Sequence, residues 1–234
     1  GDETAALTAF TATTTGATNV TLTATDNVWS VAAATLDTAL AANVRLAGDL
    51  TVTGISTETD ASTKYSKTAT GAANVTLTAS DGTWSAAVSA LNTDLGNDIK
   101  YAGALTVTGI TDKAAALTDY TTTKTGATTN TLTADGNWSL AVATLDAALT
   151  AGVRLAGALT VTGITSGSET GALTAYTTAK TGATTNTLTA ADDGAWSIAA
   201  SDLTTALAAG VRFAGTLTVT AIANGDETAA LTAF

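Results

Sequence analysis

One pattern runs through this chain four times. It starts at Thr15, Thr70, Thr125 and Thr181, reading TGATNVTLTA, TGAANVTLTA, TGATTNTLTA and TGATTNTLTA. Each start leads through a turn to a Trp-Ser pair, at Trp29, Trp84, Trp138 and Trp196. Two leucines four apart follow: Leu36/Leu40, Leu91/Leu95, Leu145/Leu149 and Leu203/Leu207. A VRLAG-like motif and an LTVTGI-like motif close each copy. The spacing is 54 to 58 residues. Self-similarity at a fixed period marks chains built of stacked units that share a core. It divides this one into repeats at 15–69, 70–124, 125–180 and 181–234, with 1–14 as the end of a preceding repeat.

A longer period lies above the first. GDETAALTAF occurs at residues 1–10 and again at 225–234, an offset of 224 residues. Two readings stay open: a 224-residue super-repeat continuing into the next copy, or a duplicated terminal segment. The start at Gly1 without Met fits a piece of a longer precursor or a mature product.

Within a unit, Val20, Leu22 and Ala24 alternate with Thr21, Thr23 and Thr25. Period two predicts a half-buried strand, and β-branched Thr suits its exposed face. LTVTGI alternates likewise. The ALTAF/ALTAY segment reads as a third, weaker strand. The middle of the unit has two readings. Trp138, Val142, Leu145 and Leu149 fit one helical face, with Ser139 as N-cap and Gly152, Gly210 or Asn43 just past the C-terminus. Alternatively Trp138, Leu140 and Val142 form a short strand before a helical turn. The expectation is a mostly β fold, a tandem repeat of four units of about 56 residues. Each is an Ig-like β-sandwich or part of a stacked β array, with one short helix or helical turn. A unit this small buries too little surface alone, so neighbours should share a core or pair strands. The expected core is Trp29, Trp84, Trp138 and Trp196 with Leu36, Leu91, Leu145 and Leu203.

Composition excludes several chemistries. Cys and His are absent, which removes disulfides, thiolate nucleophiles, imidazole ligands and histidine triads. Net charge is −11, and the scattered Lys and Arg form no basic face, so no nucleic-acid partner is expected. Apolar stretches are too short for a membrane-spanning helix. No catalytic or cofactor-binding residue emerges, and no enzyme is expected. Thr richness and acidity favour an extracellular or cell-surface location.

SDGTWSAAVSALNTDL (residues 80–95) and ADDGAWSIAASDLTTAL (residues 191–207) carry a D-G-x-W-S turn, an L-x-x-x-L pair and then an L-T-V-T strand. This resembles the bacterial immunoglobulin-like repeats of very large surface adhesins, over about half of each unit. The resemblance implies a β-sandwich and an exported structural protein of adhesive or scaffolding duty, with no catalytic residues.

Four acidic turns precede the tryptophans, at Asp26, Asp81, Asp135 and Asp192/Asp193. They are weak candidate ligands for Ca2+, which takes six to eight oxygens, as is a second acidic set at Glu58/Asp60, Glu169 and Asp226/Glu227, which otherwise reads as a solvated loop. The competing reading is a tight turn, where Asp-Gly and Asp-Asn are ordinary. Arg45, Arg154, Arg212 and Lys100 recur at one position. They either pair with Asp37 or Asp146 or lie along the surface with the charged head in water. Asn19, Asn74 and Asn137 begin glycosylation-type sequons, a loose match.

The leading functional expectation is a structural segment of a giant repetitive extracellular protein: filament, sheath, surface layer or adhesin stalk. Its partners are adjacent repeats or copies of itself. One alternative is a subunit that self-assembles by strand exchange through its identical ends. Another is a Thr-rich module binding glycan, ice or mineral.

Overall fold

The computed structural model describes residues 3–190 and 194–233. Strands hold 40% of the chain and helices 36%. In chain order the strands are β1 (Val20–Ala32), β2 (Val44–Ile55), β3 (Asn74–Ala87), β4 (Ile99–Ile110), β5 (Thr129–Ala134) and β6 (Trp138–Ala141). They continue with β7 (Val153–Leu155), β8 (Ala158–Ile164), β9 (Thr185–Ala190), β10 (Ala195–Ala199), β11 (Val211–Ala214) and β12 (Thr216–Thr220). Two compact units emerge: Gly1–Thr108 with Asp119–Asn130, and Gly109–Thr118 with Thr131–Phe234.

In the first unit, β1 pairs with β2, β2 with β3, and β3 with β4, all parallel. Parallel neighbours need a crossover. The helices Ala33–Ala41 and Val88–Gly96 supply it between β1 and β2 and between β3 and β4. Short helices at Ala61–Lys64 and Lys67–Thr70 connect β2 to β3. The second unit repeats the scheme. Parallel pairs join β6 to β8, β8 to β9, β9 to β11 and β10 to β12, with helices Val142–Thr150 and Ala200–Ala208 as crossovers. Immunoglobulin-like sandwiches are antiparallel. The parallel ladders therefore overturn the sandwich expectation, while the β-rich character stands.

Helix content also exceeds one short element per unit. The ALTAF-type segments expected as strands are helical: Glu3–Ala9, Lys113–Asp119, Glu169–Ala175 and Glu227–Ala233. Ala and Leu are the strongest helix formers. The buried residues of these helices, Ala116 with Leu117 and Ala172 with Leu173, point one narrow face inward. A second short helix follows, ending at Thr15, Thr70, Thr125 and Thr181. Thr11, Ser66 and Thr121 cap its N-terminus by accepting an amide hydrogen bond. Ser139 is not an N-cap; it lies within β6, and the crossover helix starts at Val142 after Ala141. The bulky, alternating Trp-Ser-Leu-Ala segment favours a strand, and the helix waits for the Leu145 turn. Beyond that helix Gly152 has φ 76°, and Asn43 and Gly210 share the left-handed conformation at φ 56° and 77°.

The β1·β2 ladder changes register once. Val20–Thr23 pair with Val44–Ala47, then Val28–Ala32 pair with Asp49–Thr53. The acidic turn on β1 lies opposite a single residue, Gly48, on β2. β3·β4 repeats this between Thr78 and Thr83, opposite Gly103. Gly103 has φ 101°, and a Cβ there would lie 2.2 Å from Gly82 O. Only glycine lets the two backbones approach so closely. Inward residues of these strands, such as Leu50, Val52, Leu105 and Val107, are buried, with Thr alternating between them.

Gly103→Ala is expected to destabilise the chain by at least the ~1–3 kcal/mol of a strained backbone position. Gly109→Ala, where φ is 71° but no atom lies within 4 Å, should cost about 1–2 kcal/mol from the left-handed conformation alone. Chemical denaturation of both variants checks the contrast. Equal losses would mean that the close approach to Gly82 contributes nothing.

Candidate functional site

Each tryptophan fixes the register change beside it. Trp29, Trp84, Trp138 and Trp196 are buried. Their indole N–H groups donate to Ala47 O, Ala102 O, Ala156 O and Ala214 O at 3.0–3.1 Å. Each acceptor lies immediately before the break in the partner strand. The side chain thus supplies both a large apolar surface and the donor for a carbonyl that the break leaves available. Leu36, Leu91, Leu145 and Leu203 are buried beneath the crossover helices. The second leucines of those pairs are only half-buried, and a small residue three positions on completes the helix face: Ala39, Ala148 or Ala206.

Asp94 occupies that position in the remaining copy. It is buried, and Tyr101 OH donates to its Oδ2. Tyr101 in turn stands where Leu46, Leu155 and Phe213 stand elsewhere. The two polar substitutions occur together and satisfy one another. Burial, then the Asp94 carboxylate, push the Tyr101 hydroxyl well above its ordinary value. Asp37, Asn92 and Asp146, on successive crossover helices, accept from Tyr65, Tyr120 and Tyr176 of the following segment at 3.0, 2.8 and 2.9 Å. Lys64 adds an ion pair to Asp37 at 2.6 Å. Burial raises Tyr65 and Tyr120, and burial with Asp146 pushes Tyr176 up to about 12. Buried Asn130 and Asn186 donate to Tyr120 O and Tyr176 O and lie 3.1 Å from the Thr125 and Thr181 hydroxyls. These tyrosine and asparagine contacts join consecutive segments within each unit. Composition and periodicity do not announce them; alignment of the copies does reveal the Asp94–Tyr101 contact, since the two residues depart from the pattern as a pair.

The acidic turns have local partners. Asp26 Oδ1 accepts from Val28 N at 3.1 Å, and Asp81 Oδ1 from Thr83 N at 3.0 Å. The Thr83 backbone bond holds the Asp81 carboxyl below its usual range. Asp135 begins the corresponding turn, with Gly136 at φ 70°. Asp192 and Asp193 lie outside the described residues. Among the described residues no three His, Cys, Asp or Glu side chains converge as a metal site would require. Arg45, Arg154 and Arg212 do not pair with Asp37 or Asp146. Each Nη1 donates to carbonyls at and just beyond the C-terminus of its crossover helix, among them Leu40 O, Leu149 O and Leu207 O. A cation suits the negative end of a helix dipole, while the aspartates are held by the tyrosines. Asn74, one of the sequon asparagines, donates to Asp49 Oδ1 at 2.7 Å.

Removing either member of the Asp94–Tyr101 pair strands the other. Asp94→Ala and Tyr101→Leu are each expected to cost about 1–3 kcal/mol. The double variant, which restores the pairing seen at Ala39/Leu46, should cost less than the sum by about 1 kcal/mol or more. A denaturation double-mutant cycle measures this, and strict additivity would disprove the coupling. Tyr65, Tyr101, Tyr120 and Tyr176 are raised in the folded state, so their contribution is complete below the unfolded tyrosine value near pH 10. It is lost as pH rises through the folded values. Melting temperature should therefore fall progressively above about pH 10, and Tyr176→Phe should reduce that alkaline loss.

No family model, curated protein or solved structure matches this chain.

Proposed function

We propose that this chain is a structural segment of a giant repetitive extracellular protein, such as a filament, sheath, surface layer or adhesin stalk. In this reading it consists of four tandem units whose neighbours share a sheet. The supporting observation is that a strand can be hydrogen-bonded on both edges. β2 pairs with β1 on one side and β3 on the other, and β8 pairs with β6 and β9 in the same way. Consecutive segments are therefore joined by ladders of main-chain hydrogen bonds, reinforced by the Tyr–Asp and Tyr–Asn contacts. Tension along such an array is spread over many bonds, and each unit contacts only its neighbours. The net charge of −11 opposes non-specific collapse between arrays. The function is mechanical, and the residues that carry it are core residues: the four tryptophans, the first leucine of each pair and the LTVT strands.

The test is the denatured mass of the native polypeptide, isolated from cell-surface and secreted fractions. A mass many times 22.8 kDa, found outside the cell, is expected. A native mass near 22.8 kDa, or an intracellular chain, would overturn the giant-array reading.

A further inference from the structure

The second sequence copy departs from the other three at a set of positions that meet in space. Ser62 stands where the others have Leu7, Leu117 and Leu173, and Lys67 where they have Ala12, Thr122 and Thr178. Asp94 replaces Ala39, Ala148 and Ala206, and Asn97 replaces Ala42, Ala151 and Ala209. Asp98 replaces Asn43, Gly152 and Gly210. All five lie in the first compact unit. Ser62 and Lys67 belong to the short helices before β3, and the other three to the end of the crossover helix Val88–Gly96 and the turn after it. Together they line one cavity of about 450 Å³.

The Asp94–Tyr101 contact does not account for this cavity. Leu7, Leu117 and Leu173 are each no more than 5% exposed, and exchanging such a leucine for serine gives up core packing. The ring of Tyr101 does not force the exchange. Phe213 takes the same position in the fourth copy, where Leu173 is retained and buried. Both rings meet the tryptophan of their own copy edge-on, with centroids 4.9 Å from Trp84 and 5.0 Å from Trp196. Nor does the contact need Lys67, Asn97 or Asp98. The second copy thus exchanges apolar and small residues for polar ones around a space of small-ligand size, about 300–1,000 Å³ in general.

The lining defines the chemistry of the occupant. Asp94 is 8% exposed. Among the described residues Tyr101 OH is the one donor to its carboxylate, at Oδ2, which leaves Oδ1 open to the cavity. Lys67 Nζ pairs with Asp98 Oδ2 at 2.7 Å and keeps further protons to donate. Asn97 supplies both a donor and an acceptor, and the Ser62 hydroxyl serves as either. A hard cation takes oxygen ligands only, and a phosphate takes donors only. Neighbouring hydroxyls on a sugar ring donate and accept at once, and match a lining that mixes both.

We propose that the second copy carries a saccharide-binding site, with one sugar unit seated in this cavity. Asp94 and Asp98 accept from its hydroxyls, and Lys67 and Asn97 donate to them. Tyr101 is a positioning residue that holds the Asp94 carboxylate at the cavity wall. The site adds recognition to a chain whose other copies keep leucine and alanine at these places.

Proton–nitrogen correlation NMR of the 234-residue chain tests this. Glucose, galactose, mannose and N-acetylglucosamine are titrated separately into the millimolar range, with calcium chloride in parallel. At least one sugar is expected to shift amide signals of residues 62–68 and 93–98 saturably, with signals of the second unit unmoved. Ser62→Leu restores the residue of the other copies and fills the cavity, so the saturable shifts should disappear. Asn97→Ala, an exposed position that is alanine in the other copies, should weaken binding roughly tenfold through loss of one hydrogen bond. Unchanged signals away from the cavity show that both variants are folded. The proposal is overturned if none of the four sugars gives saturable shifts, or if Ser62→Leu binds like the parent. Shifts of these residues with calcium but not with sugar would also overturn it, in favour of a cation site. None of these results bears on the giant-array reading, which is decided by the native mass.

Discussion

The structure depends on the main-chain ladder that β2, and likewise β8, makes along both edges. A backbone amide or carbonyl taken out of water must find a partner. A strand shared between two neighbours finds all of them within the sheet. The consequence is that no single strand–helix–strand segment is complete by itself. Its second strand needs the first strand of the next segment, and the burial of Leu50, Val52 and Ile55 depends on that neighbour as much as on their own helix. Within each compact unit, stability therefore comes from several strand–helix–strand segments together, as expected where one small segment cannot bury enough surface alone.

The register change lets each long strand serve two pairings. Val20–Thr23 and Val28–Ala32 belong to one strand but meet different stretches of β2 on either side of Gly48. The Asp-containing turn takes up the extra residues, glycine allows the opposite backbone to approach, and the tryptophan N–H secures the adjacent carbonyl. These three residue types recur together in the sequence because they answer one geometric demand. The same demand accounts for the acidic turns without a ligand: Asp26 and Asp81 accept the amide two residues ahead, an ordinary use of aspartate at a turn.

Much of this was readable from the residues. Period-two alternation marked VTLTA and LTVT as strands, while the Trp–Leu spacing, read as one helical face, misled: Trp138 lies in a strand and only the leucines sit on the helix. Strand direction was not readable, because alternation is the same in parallel and antiparallel sheets and depends on how the chain crosses between strands. The ALTAF segments were misread for a related reason. A short apolar run is ambiguous between strand and helix, and the buried side of these helices is only an Ala and a Leu wide. The Asp94–Tyr101 contact was legible in principle. Two positions that are Ala and Leu or Phe in the other copies become Asp and Tyr together, and a buried carboxylate needs a donor. The Tyr–Asp and Tyr–Asn contacts between segments were hidden, since their partners lie 28 to 30 residues apart and meet only through the crossover.

The absence of proline follows from the same two-edged ladder. In an ordinary sheet, proline finds a place on an edge strand, where its missing N–H faces solvent. Here the strands alternate amides between two neighbours, so replacing an N–H within a ladder deletes a bond on one side or the other. The alanine content has a parallel cause. Crossover helices such as Ala33–Ala41 must lie close against the strand pair they connect, and Ala39, Ala148 and Ala206 let them do so. A chain nearly half Thr and Ala is thus what this architecture selects: β-branched residues that suit half-buried strands, and a methyl side chain where a helix must sit close to a sheet.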